Sequence, residues 1–138
     1  RVRRQRQMCI RDRKIKEEGD SRNFKYRNIE CAIMRYGLGH LCGYARVPSD
    51  HPFYQKYNKD VEMIVVHGGI THVGVIPGHD GWWIGFDCMH VDLGDVIPYA
   101  DPQPQYKDYI KPSYKDMNYV QNEIMMMVDQ MLKKGQVT

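Results

Sequence analysis

The sequence predicts an α+β domain: a small antiparallel sheet of four or five strands with a C-terminal amphipathic helix packed on one face. Three observations carry this. Runs of β-favoured residues follow one another between residues 24 and 90, separated by Gly and Pro, without the helical crossovers of a βαβ chain. Near the C-terminus Met117, Val120, Ile124, Met127, Val128 and Met131 recur mostly at steps of three and four, one apolar stripe of a helix. The chain has 138 residues, 42% of them apolar and 27% charged, which suits one domain with a core of useful size.

The first strand-like run spans 24–36, where Phe24, Tyr26, Ile29, Cys31, Ile33 and Tyr36 lie close to an alternating pattern and Gly37-Leu38-Gly39 closes it. The next, LCGYARVP at 41–48, puts Leu41, Gly43, Ala45 and Val47 on one face and Cys42, Tyr44 and Arg46 on the other. Pro48 donates no ladder hydrogen bond and ends it. Ser49, Asp50 and Pro52 read as the start of a short helix within 49–58. VEMIVVHGGIT at 61–71 is apolar on both faces and predicts a central strand broken at Gly68-Gly69. PGHDG at 77–81 turns the chain into WWIGFDCMH, a second central strand expected to pair antiparallel with the one before it. Four Pro and three Tyr within 91–113 describe an ordered loop wrapped over the core, since tyrosines carry apolar surface to bury. Ser113 with Asp116 resembles a capping box for the last helix, and Lys133-Lys134-Gly135 stops it.

The net charge of +3 lies in the first thirteen residues, which hold six Arg and one Asp; the rest of the chain has 14 basic and 16 acidic residues. Residues 3–13, RRQRQMCIRDR, resemble the translation of a transposase sequencing adapter. Residues 1–13 are therefore expected to be a non-native segment, 14–23 a disordered lead-in and 24–135 the single domain. The competing reading of the same arginines is a basic arm for nucleic acid or anionic lipid. With that segment set aside, nothing in the charge pattern points to nucleic acid. No apolar run approaches the ~18 residues of a membrane span, and no secretory leader is visible. Without Cys9, three cysteines remain: Cys31, Cys42 and Cys88. An odd count without a CxxC pair argues against a disulfide framework or an all-cysteine zinc knuckle, and free thiols point to a reducing, cytoplasmic setting.

Chemistry-bearing residues gather near two strand ends. One group is His67-Gly68-Gly69-Ile70-Thr71; the other is Asp87-Cys88-Met89-His90 with Asp92, Gly94 and Asp95. Strand alternation sets Cys88 and His90 on one face and Asp87 with Trp83 on the other, so His67 on a paired strand would approach one set or the other by register. Three chemistries fit. His67, Cys88 and His90 with Asp92 or Asp95 offer the donors of a zinc site, which would leave a position for an activated water. Cys88 with His67 or His90 as its base, and the Gly68-Gly69 amides as oxyanion donors, would make a nucleophilic centre. Alternatively His67, Gly68, Gly69, Thr71, Trp83 and Asp87 would bind a small polar or anionic ligand without chemistry, with Trp82 or Trp83 stacking and Arg35 or Arg46 pairing with an anion. Each competes with a plain structural account: a cysteine in an aromatic strand is usually inert core, a double glycine is turn chemistry, and the Met stripe is core. His51, His72 and His79 fall in turn-like contexts and read as solvated.

The order Gly39-His40-Leu41-Cys42-Gly43-Tyr44, His51-Pro52, Val66-His67-Gly68-Gly69-Ile70-Thr71, Trp83-Ile84-Gly85-Phe86-Asp87-Cys88-Met89-His90 and Gly94-Asp95 resembles an uncharacterised family of small bacteriophage- and prophage-encoded proteins, over about 24–132. The HGG-aliphatic-T and GFDCxH motifs mark it, and the spacer Val91-Asp92-Leu93 is longer than the family pattern suggests. The resemblance implies a phage accessory protein in the cytoplasm of an infected cell and transfers no activity. The leading expectation is a binder of a small polar or anionic ligand at the His/Gly/Cys/Asp strand ends. The alternatives are a zinc-assisted or Cys-His hydrolase at the same residues, and an inhibitor of a host protein acting through the Tyr-rich loop and the Met-faced helix.

Overall fold

In the computed structural model of the chain, which describes residues 2–136, the elements run α1 (Val2–Glu18), β1 (Ser21–Tyr26), β2 (Ile29–Arg35), β3 (Leu41–Val47), α2 (Lys59–Glu62), β4 (His72–Ile76), β5 (His79–Asp87), a 3-10 turn (Val91–Leu93) and α3 (Met117–Gly135). The five strands form one antiparallel sheet in the order β1-β2-β3-β5-β4, and α3 lies across β1, β2 and β3. This is the α+β arrangement the patterning predicts.

The helix stripe is the core. Met117, Val120, Ile124, Met127, Val128 and Met131 are all fully buried, against Cys31, Ile33, Leu41, Ala45, Val47, Ile84, Phe86 and Cys88 of the sheet. Burying each such side chain contributes roughly 1.5–3 kcal/mol. Gly43 permits the contact, because a Cβ there would overlap Phe86 and the Ile124 side chain. The opposite face holds a smaller cluster of Ala32, Cys42, Tyr44, Ile76 and Trp83. The face assignment along β3 is thus as expected from its alternation. The N-cap of α3 is Asp116, whose side chain accepts the Tyr119 N–H, and not Ser113, which bridges to Asp95 instead.

Four expectations are corrected. The strand-like run at 24–36 is a hairpin, turned by Arg27 and Asn28 at φ 50° and 68°; the break in parity between Tyr26 and Ile29 marks that turn. Residues 49–58 hold turns and no helix. They are pinned by Phe53, 1% exposed, and by His51, which is buried rather than solvated: His51 Nε2 donates to Met131 C=O at 2.7 Å and Nδ1 accepts the Phe53 N–H at 3.0 Å. The helix lies further on, where the Asn58 side chain accepts the Val61 N–H and caps α2.

The third correction is the largest. Residues 61–71 form no strand, and β5 pairs with β3 and β4 instead. After α2 the segment lies along α3, burying Val61, Ile64 and Val66 and exposing Met63 and Val65. Its backbone groups are satisfied by helix side chains. Gln130 donates to Val65 C=O at 2.8 Å and accepts from Val65 N–H at 2.7 Å, and Glu123 accepts from His67 N–H at 2.8 Å. The backbone of this segment is thus paired without a neighbouring strand.

The fourth concerns the N-terminus. Residues 14–23, expected as a disordered lead-in, carry the end of α1 and the start of β1. Ile15 is 4% exposed. Glu18 accepts from Met117 N–H at 3.0 Å and from Tyr114 OH at 2.9 Å, and pairs with Arg35 at 3.2 Å. Arg35, read from sequence as an anion ligand, is spent on this junction: its side chain is 4% exposed and donates also to Gly19 and Gly39 carbonyls. By contrast, the described side chains between residues 3 and 13 are exposed apart from half-buried Arg11. Deleting residues 1–13 is therefore expected to shift Tm by no more than about 3 °C, the scale of a surface change. Arg35→Met, which strands Glu18, should lower it by about 10 °C. Thermal melts of the three proteins decide, and a drop on deletion as large as that of Arg35→Met would make residues 1–13 part of the folded domain.

Candidate functional site

The end of β5, the loop after it and the segment before β4 converge on one carboxylate. The 3-10 turn ends at Gly94, φ 79°, which folds the chain back so that Asp95 N–H donates to His90 C=O at 3.1 Å. Asp95 is 0% exposed. Its Oδ2 accepts from His67 Nε2 at 2.8 Å and from His90 N–H at 2.8 Å, while Lys115 Nζ stands 3.2 Å from Oδ1. Lys115 spends its hydrogens on Ser113 Oγ, 2.7 Å away, and on Ser113 and Gly94 carbonyls, so its contact with Oδ1 is an ion pair and not a hydrogen bond. Tyr106 OH closes the far side by donating to Asp95 C=O.

The charge survives burial because of these partners. Burial alone would raise the Asp95 carboxyl; the hydrogen bonds from His67 and from His90 N–H, with the Lys115 ammonium beside it, outweigh it and hold the group below the ordinary aspartate range. A carboxylate only accepts, so the His67 proton on that side sits on Nε2, and Nδ1 is left to accept Tyr119 O–H at 2.8 Å. Tyr119 is pushed up to about 12 by burial and by Glu123, so it stays a phenol and a donor. Tyr119–His67–Asp95 is thus a closed relay, and the His67 side chain is 6% exposed.

A second, more open pair stands beside it. His90 Nε2 lies 3.3 Å from Asp87 Oδ1 without forming a hydrogen bond, and the two side chains are 24% and 25% exposed. Asp87 also accepts from Thr71 Oγ1 at 2.8 Å and from Met89 N–H at 3.1 Å. The His67 and His90 rings meet edge to face, 5.9 Å between centroids. Gly68, φ 71°, backs onto this pair: a Cβ there would collide with the His90 ring. His40 stacks on Tyr36 nearby, with a buried Nδ1 that has no partner, and burial lowers its basicity against the opposing pull of Asp87 and Asp95.

The structure therefore brings together His67, Gly68, Thr71, Asp87, His90 and Asp95 and separates the rest. Cys88 is 2% exposed in the core beneath α3, and burial pushes its thiol up, so it is neither an activated nucleophile nor a ready metal ligand. Both His67 nitrogens are engaged, and among the described residues no group of three or more His, Cys, Asp and Glu side chains is arranged to hold a metal ion. Gly69 forms a turn to Val66 C=O. Asp92 is exposed on the 3-10 turn. Trp83, 1% exposed with Nε1 on Asp80 C=O, lies in the cluster on the other face of the sheet and does not reach His67; Arg46 pairs with Glu30 at 2.9 Å. Sequence reasoning missed Lys115, Tyr119 and Glu123. Tyr119 and Glu123 lie four residues apart on α3 beside its apolar stripe, a spacing that was a usable signal, whereas Lys115 lies ahead of the helix and carried none.

Asp95→Asn is expected to cost about 3–5 kcal/mol at neutral pH, the scale of a broken buried pair. The sign with pH follows from the depressed native carboxyl. Its contribution is complete above the unfolded value, about 3.9, and is lost as the pH falls through the folded one. Denaturant melts should show wild-type stability falling below about pH 4 by an increment that Asp95→Asn lacks; parallel acid limbs in the two proteins would refute the ionised, buried Asp95. Comparison with known protein families, with curated proteins and with solved structures returns no match.

Proposed function

We propose that this chain binds a small polar ligand at the open His90–Asp87 pair, with Thr71 at its rim and the Gly68 backbone behind it. The observation that supports this is the contrast between the two histidine–carboxylate pairs. His67–Asp95 is satisfied on every side and sealed, whereas His90 Nε2 has no hydrogen-bond partner and Asp87 stands a quarter exposed beside it. A polar atom screened from water without a partner favours a ligand that supplies one. The pair offers a ring nitrogen and a carboxylate side by side, so it suits a molecule presenting a donor and an acceptor together. The relay beneath holds the His90 backbone through Asp95 Oδ2, which fixes the binding groups on a stiff base.

The reading as a zinc-assisted or Cys-His hydrolase draws no support from a buried thiol. The Met stripe itself is core, since Met117, Met127 and Met131 are buried, and Met126 is the methionine of α3 that stands exposed. The exposed rings of Tyr99 and Tyr109 keep contact with a host protein as the second reading. Among the described residues no helix is long and apolar enough to cross a membrane. The resemblance to phage-encoded proteins is what supports reading the activity as one exercised in the cytoplasm of an infected cell.

Native mass spectrometry of the full chain purified from cells, with elemental analysis of the same sample, tests the reading. A co-purified small molecule is expected in the wild type, lost in His90→Ala and in Asp87→Asn, with Tm unchanged within about 3 °C because both side chains are partly exposed. Gly68→Ala should lose the molecule as well, by displacing the His90 ring. A wild type that carries nothing, or the same adduct in all three variants, would refute the site; stoichiometric metal lost with these substitutions would replace it by a metal centre.

A further inference from the structure

The β4–β5 hairpin does not lie flat in the sheet. Trp82 is the last β5 residue paired with β3, so the three residues His79–Gly81 run on beyond it. A register shift between Gly74 and Ile76 marks a bulge in β4, and bulges bend a strand and add twist. The tip consequently curls over the face that α3 does not cover. His79 Nε2 comes within 3.1 Å of the Asn23 side-chain amide on β1, three places away in the sheet order, while its Nδ1 donates to Pro77 C=O at 2.9 Å.

The curl shapes an open cleft of about 350 Å3, with Trp83 at its floor and Asn23, Lys25, Glu30 and His79 around it. That volume is at the lower end of ligand pockets and suits a molecule of one or two rings. Its charges are unequal. The Glu30 carboxylate is taken by Arg46 at 2.9 Å. Lys25, opposite Glu30 in the β1–β2 register, has no carboxylate within ion-pair distance among the described residues. The His79 ring stands edge-on to Trp83, centroids 5.3 Å apart, and presents a planar wall. With its proton on Nδ1 the His79 ring accepts at Nε2, so the Asn23 amide turns one N–H to it and keeps a second for a ligand.

We propose that this cleft is a second binding site, for a small aromatic anion whose ring packs against His79 and whose carboxylate or phosphate takes hydrogen bonds from Lys25 and Asn23. Trp83 and Asp87 share this face of β5 four residues apart, about 13 Å at strand rise, so the cleft is separate from the His90 pair and stands or falls without it.

Amide chemical-shift titration of the full chain with phenyl phosphate, inorganic phosphate and benzamidine tests the proposal. Phenyl phosphate is expected to move the amides of Asn23, Lys25, His79 and Trp83. Lys25→Glu, at an exposed position, should weaken it about tenfold or more, the scale of a lost charge-assisted hydrogen bond. Inorganic phosphate, which lacks the ring, should bind more weakly than phenyl phosphate, and benzamidine should leave these amides unmoved. Equal response to benzamidine, undiminished binding by Lys25→Glu, or no response to phenyl phosphate would each overturn the site. Shifts confined to Thr71, Asp87 and His90 would overturn it too, while supporting the strand-end pair.

Discussion

A carboxylate that no water reaches must be surrounded by donors, and in this chain the donors come from three stretches that have little else in common. Asp95 takes a hydrogen bond from His67 in the segment before β4, another from the backbone of His90 just after β5, and the nearby charge of Lys115 ahead of α3. An unpaired charge in that position would cost several kcal/mol, so the three stretches are constrained together. The constraint reaches further than the site. His67 has to point down at Asp95, which places residues 63–67 over α3 and leaves Met63 and Val65 on the surface. The backbone they present is then paired by Gln130 and Glu123, so α3 acts toward this segment as a strand edge would.

The same arrangement explains which parts of the fold were legible. The α3 stripe and the two faces of β3 are written in periods of 3.6 and 2, and periodicity is local, so both could be read directly. Residues 61–66 are apolar at five of six positions, a run whose composition does not tell a strand from any other buried segment. What decides it lies elsewhere: Asn58 caps α2, and Asp95 claims His67 from 28 residues away. Arg35 and His51 were misjudged for the same reason. Each looks like a surface group in its own neighbourhood, and each is bound to a partner far along the chain, Glu18 for Arg35 and the Met131 carbonyl for His51.

Of the candidate site, the sequence supplied the histidines and aspartates but not their roles. It grouped Cys88 with His90 because they alternate onto one face of a strand. That face is the one α3 covers, so the alternation that joined them also buries the thiol; His90 escapes only because the strand ends at Asp87 and the chain turns. Trp83 was grouped with Asp87 by the same rule, correctly as to face and wrongly as to reach, since shared faces say nothing about distance along the strand. The polar pair Tyr119 and Glu123 on α3 is the lesson in the other direction. A helix that contributes a core stripe can carry a polar row beside it, and the residues of that row sit where the core meets the strand ends.

The two faces of the sheet consequently carry different burdens. On the helix side, every large residue of the stripe is buried, and an alteration there is felt as lost packing across β1, β2 and β3. On the other side the sheet closes itself, by the bulge in β4 and the reach of His79 to Asn23, over a smaller cluster. Stability is concentrated where the chain has least freedom to vary. Partly exposed groups such as His90, Asp87 and Lys25 lie at the borders of that core, where changing them leaves its packing intact. A rigid helix-backed sheet whose open groups sit at its strand ends and beneath its curled hairpin separates the residues that hold the fold from those free to meet a ligand.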